Sequence, residues 1–204
     1  MSLGTRNSQK TGISLLDMTA VKCRLHRLAE LARTTNCSAW LLLSDYDNRT
    51  FAGNDGYKDE VDRLYRWDST VPNHAAIAAG DIAVIWDKRQ LIGISRIETI
   101  LTGLETKNRY RCPACASTKI KRRTSKIPDY ACGNPSCKTE FDLPAVEEIG
   151  VTTYQAEYGE LWCPLPGQLS ATQCRQLATR PKSQHSMRLI DMGKLLSLLQ
   201  QIRS

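Results

Sequence analysis

The chain has 204 residues, of which 41% are hydrophobic and 24% are charged, and its formal net charge is +7. This length suits one domain, or a domain with a small insertion, and the composition excludes collagen-like, coiled-coil and wholly disordered chains. The apolar runs are far shorter than the roughly 18 residues that a membrane-spanning helix needs, and the polar first ten residues lack the apolar core of a secretory signal. We therefore expect a cytoplasmic protein.

The first part of the chain predicts a helix followed by a buried strand. Residues 1–37 are interpreted as a polar tail and a helix, because apolar residues recur at helical spacing up to about Arg33. Residues 39–44 form a continuous apolar run, which predicts a strand covered on both faces. Residues 45–57 are rich in Asp, Asn and Gly and predict a loop.

The middle of the chain predicts a hairpin and an insertion. A short helix is expected at residues 73–79, before the turn signal Gly80-Asp81. Residues 82–86 and 91–100 are strand-like and are separated by four polar residues, so we expect them to pair. Residues 110–142 interrupt this pattern and are predicted to project as an insertion.

The last third of the chain predicts two strands and two helices. Residues 151–158 resume the sheet, and Ser170-Ala-Thr-Gln173 is a capping box that should begin a short helix. Residues 187–190 are expected to form the last strand, and residues 191–204 a final helix with an apolar face. Strands and helices are mixed without a βαβ repeat, which indicates an α+β domain around a small curved sheet or barrel.

Four of the eight cysteines fall in two close pairs, with sixteen residues between the pairs. Two tight turns can aim four thiolates at one point, and this is the ligand set of a tetrahedral structural Zn²⁺. We therefore predict a zinc ribbon with one Zn²⁺ and no open position for water or substrate. The predicted metal ligands are Cys112, Cys115, Cys132 and Cys137.

The positive excess lies in two windows of the chain. Residues 106–128 hold eight basic residues and no acid, and residues 174–190 hold four more, again with no acid. Such clustering is typical of proteins that bind nucleic acid, and an ordinary solvated basic face is the alternative. The candidate contacts to a nucleic-acid backbone are Lys119, Lys121, Arg122, Arg123, Lys182, Gln184, His185, Ser186 and Arg188.

Four segments follow one another in a characteristic order. They read A-W-L-L-L-S at 39–44, Y-R-W-D-S-T-V-P-N-H at 65–74, G-D-I-A-V-I-W at 80–86 and L-I-G-I-S-R-I at 91–97. Over roughly residues 38–190, this order resembles the EVE branch of the PUA-like superfamily, to which YTH and SRA domains are related. With a ribbon inserted after the last segment, it resembles modules attached to modification-dependent HNH restriction endonucleases. The resemblance implies a curved sheet or small β-barrel with flanking helices, and a pocket for one flipped, modified base.

The polar residues around the second segment suit such a pocket. A flipped base needs an aromatic face for stacking and polar groups for its Watson–Crick edge. Trp67 is expected to stack on the base, with a core position as the alternative, and Asp45 or Asp68 could accept from an exocyclic amine. The predicted pocket residues are Ser44, Asp45, Tyr46, Trp67, Asp68, Ser69 and Asn73.

These features together predict a non-catalytic reader of double-stranded DNA that carries 5-methyl- or 5-hydroxymethylcytosine. It would flip the base and serve as the specificity module of a modification-dependent restriction system, whose HNH nuclease domain lies elsewhere. An RNA reader of methylated adenine is the alternative among binding modules. A small metal-dependent nuclease is the alternative from another class, because Glu105-Thr-Lys107 follows Asp81 and Asp87.

Overall fold

The structure is a computed structural model and describes residues 15–44 and 57–203. Three helices and eleven strands are formed in this part of the chain. The helices are α1 (Leu15–Thr34), α2 (Ala171–Leu177) and α3 (Met192–Arg203). The strands are β1 (Ala39–Leu43), β2 (Leu64–Asp68), β3 (Ile82–Trp86), β4 (Leu91–Arg96), β5 (Thr99–Arg111), β6 (Ile120–Arg122), β7 (Tyr130–Cys132), β8 (Glu140–Phe141), β9 (Ala145–Glu157), β10 (Cys163–Pro164) and β11 (Met187–Leu189).

A five-stranded sheet lies at the centre, in the order β10-β4-β3-β1-β11. Strands β1 and β3 are parallel, and the other neighbours are antiparallel. The two central strands are hydrophobic throughout and are almost completely buried, as a strand covered on both faces requires. The predicted strands at 39–44 and 82–86 are therefore confirmed.

The two faces of this sheet contact different layers, because successive side chains of a strand point to opposite sides. Leu41 and Val84 belong to the cluster on the helical side, to which all three helices contribute. Leu42 and Ile85 belong to a second cluster, formed with strands β2 and β9. The helical side contains Leu25, Leu28, Leu177, Leu195 and Leu199, and the opposite side contains Tyr65, Trp67, Ile97, Ala156, Tyr158 and Met187.

The second sheet has the order β2-β9-β5 and continues beyond the domain as a two-stranded arm. Strands β5 and β9 pair along 13 residues, from Thr99 opposite Glu157 to Arg111 opposite Ala145. Strand β2 pairs with only the last five residues of β9. We call residues 104–111 and 145–152 the arm; its Leu104 side chain is 87% exposed.

The ribbon lies at the end of the arm. Its three short strands pair in the order β6-β7-β8, and the ring of Tyr130 stacks on Phe141 with the centroids 5.9 Å apart. The buried cluster of the ribbon consists of Cys112, Cys132 and Phe141. The ribbon therefore has a small core of its own, separate from the two clusters of the domain.

The α+β class is confirmed, whereas the curved sheet does not close into a barrel in the described part of the chain. The predicted strand 91–100 breaks at Ile97 and Glu98, because their backbone N–H groups bond to Asp81 and to Glu157. The chain thereby passes from the first sheet to the second.

The expected helix at residues 73–79 is a series of turns. Asn73 has a φ of +69°, which is incompatible with a right-handed helix, and its side-chain amide donates to the backbone oxygen of Met187. The predicted loop at 45–57 lies outside the described residues, except for Tyr57, and so does most of the predicted N-terminal tail.

Hydrogen bonds in the first turns of α2 and α3 confirm where these two helices were predicted to begin. The Ser170 hydroxyl accepts from the backbone N–H of Gln173, whose side chain in turn accepts from the backbone N–H of Ser170. Asp191 accepts from the backbone N–H of Lys194 in the first turn of α3. None of the helices described is both long and apolar enough to cross a membrane.

Candidate metal centre and nucleic-acid surface

The four predicted metal ligands come together in the ribbon. The sulfur atoms of Cys112, Cys115, Cys132 and Cys137 all lie within 4.8 Å of one another, and none of these cysteines forms a disulfide. The Sγ atoms of Cys112 and Cys137 are 3.8 Å apart, and those of Cys115 and Cys132 are 3.6 Å apart. Four sulfurs at about 2.3 Å from a tetrahedral centre would be about 3.8 Å apart, so the cluster could hold one metal ion.

The turns of the ribbon also provide donors to the sulfur atoms. The backbone N–H of Asn134 donates to Cys132, and its side-chain amide donates to Cys115. The Thr139 hydroxyl and backbone N–H lower the pKa of Cys137 to about 6. The Asn134 N–H lowers the pKa of Cys132, but burial and the other thiols raise it, with a net rise to about 12. A bound metal would displace the remaining thiol protons.

The basic side chains of the ribbon differ in their exposure and in whether they form ion pairs. Lys119, Lys121 and Arg122 are exposed, and none of them forms an ion pair in the described part of the chain. Arg123 instead donates to both oxygens of Glu140 and to the backbone oxygen of Pro128. The guanidinium of Arg123 is therefore used inside the ribbon, in contrast to its predicted role as a phosphate contact.

The second basic window is divided between an exposed loop and a buried strand. Lys182, Gln184 and His185 are exposed, as a loop that contacts phosphates would require. Ser186 is half-buried and hydrogen bonds with the Tyr65 hydroxyl. Burial of this hydroxyl raises the pKa of Tyr65. Arg188 is only 7% exposed and lies on β11, so it does not belong to the open surface that the sequence predicted.

Trp67 is a core residue and does not present an open stacking face. Its side chain is 1% exposed, and Nε1 donates to the backbone oxygen of His74 at 2.9 Å. The ring of Tyr154 is stacked on it, with centroids 5.3 Å apart and planes inclined by 7°. A base could therefore reach the ring of Trp67 on this side only if Tyr154 moved away.

Asp68 is also buried, and its carboxylate is occupied by neighbouring donors. Lys107 donates to one oxygen, and the backbone and hydroxyl of Thr70 donate to the other at 2.7 and 2.5 Å. Burial alone would raise the pKa of Asp68, but hydrogen bonds from Lys107, Thr70 and Tyr57 outweigh it and lower the pKa. In this arrangement Asp68 is not free to read a base edge.

The other predicted pocket residues have structural partners or lie outside the described residues. The Ser44 hydroxyl donates to Asp59 at 3.1 Å, and the Ser69 hydroxyl accepts from the backbone N–H of Thr152 at 3.1 Å. Asn73 is bonded to Met187 at 2.9 Å. Asp45 and Tyr46 lie outside the described part of the chain. The structure thus places Trp67, Asp68, Ser69 and Asn73 in and just after the end of β2, where their polar groups are hydrogen bonded to other residues.

Two half-buried rings, which were not among the predicted pocket residues, lie near Trp67. Tyr154 is stacked on Trp67, and His74 lies 5.8 Å from Tyr154 between ring centroids. With Tyr65, 5.8 Å from Trp67, they form what we call the aromatic cluster: Tyr65, Trp67, His74 and Tyr154. Tyr154 enters it through the register of β2 with β9, which no local sequence signal encodes.

The outline of a metal-dependent nuclease is not assembled among the described residues. Asp81 is 6% exposed and accepts from Trp40 and from two backbone N–H groups, and Lys107 is bound to Asp68. In the described ranges, the four cysteines are the one group of His, Cys, Asp or Glu side chains clustered closely enough to hold a metal.

A groove of about 510 Å³ lies between α2 and α3 and is lined by Leu169, Leu177 and Leu198 among others. It contains none of the predicted site residues and lies on the helical side of the central sheet, whereas the aromatic cluster lies on the other side. The groove therefore does not bear on the base-reading hypothesis. No protein-family model matches this chain, and neither does any curated protein or solved structure.

Proposed function

We propose that this protein is a non-catalytic reader that binds double-stranded DNA carrying a modified cytosine. The observation that carries the proposal is a set of exposed basic side chains, without ion pairs among the described residues, on a ribbon that could hold a metal at the end of a two-stranded arm. Within residues 110–142, seven basic residues stand against three acidic ones. Basic side chains that neutralise phosphates release counterions, and this supplies most of the sequence-independent affinity for DNA.

The arm accounts for how such a surface reaches a duplex. Strands β5 and β9 extend beyond β2, so the ribbon is displaced from the bulk of the domain. Lys119, Lys121 and Arg122 are exposed on it and have no carboxylate partner among the described residues. A surface of this kind positions a protein on DNA but carries no sequence information.

The metal of the ribbon is proposed to be a single structural Zn²⁺. Four thiolates are soft ligands, and Zn²⁺ prefers them in tetrahedral sets. All four positions would be filled by Cys112, Cys115, Cys132 and Cys137, which leaves none for water or substrate. In this role the metal orders the ribbon and takes no part in a reaction.

The base is proposed to be read at the aromatic cluster, with Tyr154 and His74 as the rings that meet it. Both are half-buried, whereas Trp67 lies beneath Tyr154 and supports it. Every base has a π-face, so stacking gives affinity without choosing a base. The sequence resemblance is the basis for proposing a PUA-like pocket that takes a flipped, modified cytosine. The geometry adds which rings of the aromatic cluster are accessible to a base.

Titration of duplexes that differ in one base tests the whole proposal. The set contains plain, 5-methylated and 5-hydroxymethylated cytosine, with N6-methylated adenine in DNA and in RNA. We expect the tightest binding to a modified cytosine, with about 0.8 kcal/mol from each buried carbon of the modification. Equal affinity for all duplexes would refute base reading, and a clear preference for methylated adenine in RNA would favour the RNA alternative.

Two sets of variants separate the surface from the base site. Replacing Lys119, Lys121 and Arg122 by Gln should weaken binding to modified and plain duplexes alike. It should also lower the log–log salt slope by about 0.9 for each phosphate that is no longer neutralised. The matched control replaces three exposed basic residues of α1 by Gln: Lys22, Arg27 and Arg33.

For the base site, the test variant is Tyr154→Leu, which keeps an apolar cover on Trp67. It should remove the preference for the modified base and leave the salt-sensitive binding intact. Tyr110→Leu on the arm is the control, because Tyr110 is also half-buried but lies outside the aromatic cluster. If Tyr154→Leu kept the full preference, the base would have to be read elsewhere.

A further inference from the structure

Two arginines lie over one buried indole ring on the helical side of the central sheet. The Cζ atom of Arg188, on β11, is 5.2 Å from the ring centroid of Trp86, and that of Arg175, on α2, is 5.4 Å from it. Both distances fall within the roughly 6 Å range of cation–π attraction. Both guanidinium cations therefore interact with the same ring, and their like charges repel each other.

Among the described residues, no carboxylate forms an ion pair with either arginine. Asp87 follows Trp86 directly, but its carboxylate accepts from the backbone N–H groups of Arg89 and Gln90. Two guanidinium groups therefore lie close to one apolar ring, and no acid of the described chain is bound to either. A bound anion would offset their charge.

The buried member of the pair has an unused donor. Arg188 is 7% exposed, and its Nε donates to the backbone oxygen of His185 at 2.8 Å. Its Nη1 atom is buried and has no hydrogen-bond partner in the described part of the chain, and the same holds for Nε1 of Trp86. Burial, and then the charge of Arg175, lower the pKa of Arg188. Buried donors without acceptors are rare and cost free energy, which a bound acceptor would recover.

We propose that Arg175, Arg188 and Trp86 form a binding site for a phosphate group. Arg175 is exposed to solvent, whereas the donors of Arg188 and Trp86 that lack acceptors are buried, so the phosphate would have to displace the side chains that cover them. The planar guanidinium fork matches two phosphate oxygens, which an ammonium group cannot do. The phosphate belongs either to a nucleic-acid backbone, in which case the inference rests on the proposed function, or to a free phosphate ion or monoester.

The test uses the full chain, two probes and a matched pair of variants. The probes are inorganic phosphate, followed by the midpoint of thermal unfolding, and a plain DNA duplex, followed by titration at several salt concentrations. Arg175→Gln is the test variant, because Arg175 is exposed and its replacement leaves the core in place. Arg27→Gln is the control, because it removes one exposed arginine from α1.

A backbone phosphate at this site predicts that Arg175→Gln weakens duplex binding about tenfold, the loss expected for one charge-assisted hydrogen bond. The salt slope should also fall by about 0.9, while Arg27→Gln behaves as the wild type. A free phosphate predicts instead that inorganic phosphate raises the unfolding midpoint of the wild type and of Arg27→Gln, but not that of Arg175→Gln, with unchanged duplex affinity. Either pattern supports the site.

A second variant guards against misfolding at the buried position. Arg188→Lys keeps the charge and loses the fork, so it should weaken phosphate or duplex binding as Arg175→Gln does, but leave the salt slope as in the wild type. If Arg175→Gln and Arg27→Gln gave the same results with inorganic phosphate and with the duplex, the proposal of a phosphate site would be refuted. A wild type that fails to bind any duplex would overturn the proposed function instead, and the phosphate titration would then decide the site alone.

Discussion

The ribbon and the central sheet differ in how much apolar surface they bury. The sheet is covered on both faces, and its strands β1 and β3 contribute hydrophobic side chains to two large clusters. The ribbon buries Cys112, Cys132 and Phe141, a core too small to offset the conformational entropy lost when its residues are ordered. A metal held by its four cysteines would therefore supply most of the stability of the ribbon. We thus expect the central sheet to depend on apolar burial and the ribbon to depend on a bound metal.

Metal removal should give the largest difference between the two regions. A structural Zn²⁺ contributes about 10–16 kcal/mol of binding free energy, which in such small sites is also folding free energy. We expect Cys132→Ser, or chelation of the wild type, to unfold the ribbon while the central sheet stays folded. Hydrogen exchange of the amides of β7 compared with those of β3 would measure this.

The control for this prediction is Cys23→Ser, because Cys23 is exposed on α1 and lies outside the metal cluster. It should leave both regions protected from exchange. Loss of protection in β3 together with β7 would show that the two regions fold as one unit. Elemental analysis should also find one zinc per chain in the wild type, and protein purified without chelator that contains none would contradict the assignment.

The second largest effect is expected in the domain rather than in the ribbon. Trp67→Ala removes a completely buried ring from beneath Tyr154 and should lower the free energy of unfolding by about 3–5 kcal/mol. Leu104→Ala on the arm should change it by less than about 0.5 kcal/mol, because this side chain is 87% exposed. Urea denaturation of both variants gives the comparison, and similar losses would contradict the placement of Trp67 in the core.

A smaller effect is expected for the hydrogen bonds of Asp68. Asp68→Asn weakens its bonds with Lys107, Thr70 and Tyr57 and should cost about 1–3 kcal/mol. The pKa of Asp68 is lowered in the folded state, so the unfolded chain takes up the proton first as the pH falls. The stabilisation is therefore complete above the unfolded value of about 3.9 and is lost as the pH falls through the lower folded pKa.

Urea denaturation of the wild type and Asp68→Asn between pH 2 and about pH 7 would measure this dependence. The difference between the two proteins should be constant at the neutral end and shrink below about pH 4. Glu148→Gln is the control, because Glu148 is exposed on β9 and forms no ion pair in the described part of the chain. A difference that grew as the pH fell would contradict the direction of the pKa shift.

The smallest effect separates two neighbouring arginines of the ribbon. Arg122→Gln should lower the log–log salt slope of duplex binding by about 0.9, because Arg122 is exposed and forms no ion pair with any described residue. Arg123→Gln should leave the slope unchanged, because this guanidinium is bonded to Glu140 and to the backbone oxygen of Pro128. Equal slopes for the two variants would show that the ion pair with Glu140 opens when DNA binds, or that Arg122 does not contact DNA.

Much of the local structure was predictable because its causes are local. Helical spacing predicted α1 and α3, continuous apolar runs predicted the central strands, and the capping box at Ser170 predicted where α2 begins. Strand β2 was not predicted, because its short mixture of polar and apolar residues carries no clear strand signal. It becomes a strand through its pairing with β9. The break at Ile97 was missed for a similar reason, because it depends on hydrogen bonds to Asp81 and Glu157.

The sequence by itself determined the four-cysteine cluster, because two pairs of cysteines in tight turns can converge in few ways, and it located the basic charge. The tertiary structure decided which of these side chains are available. Trp67 became a core residue because the register of β2 with β9 places Tyr154 on its ring. Arg188 became a buried donor because β11 pairs with β1 and turns its side chain toward Trp86. Composition and spacing specify which groups are present, but exposure and partners depend on contacts between residues distant in the chain.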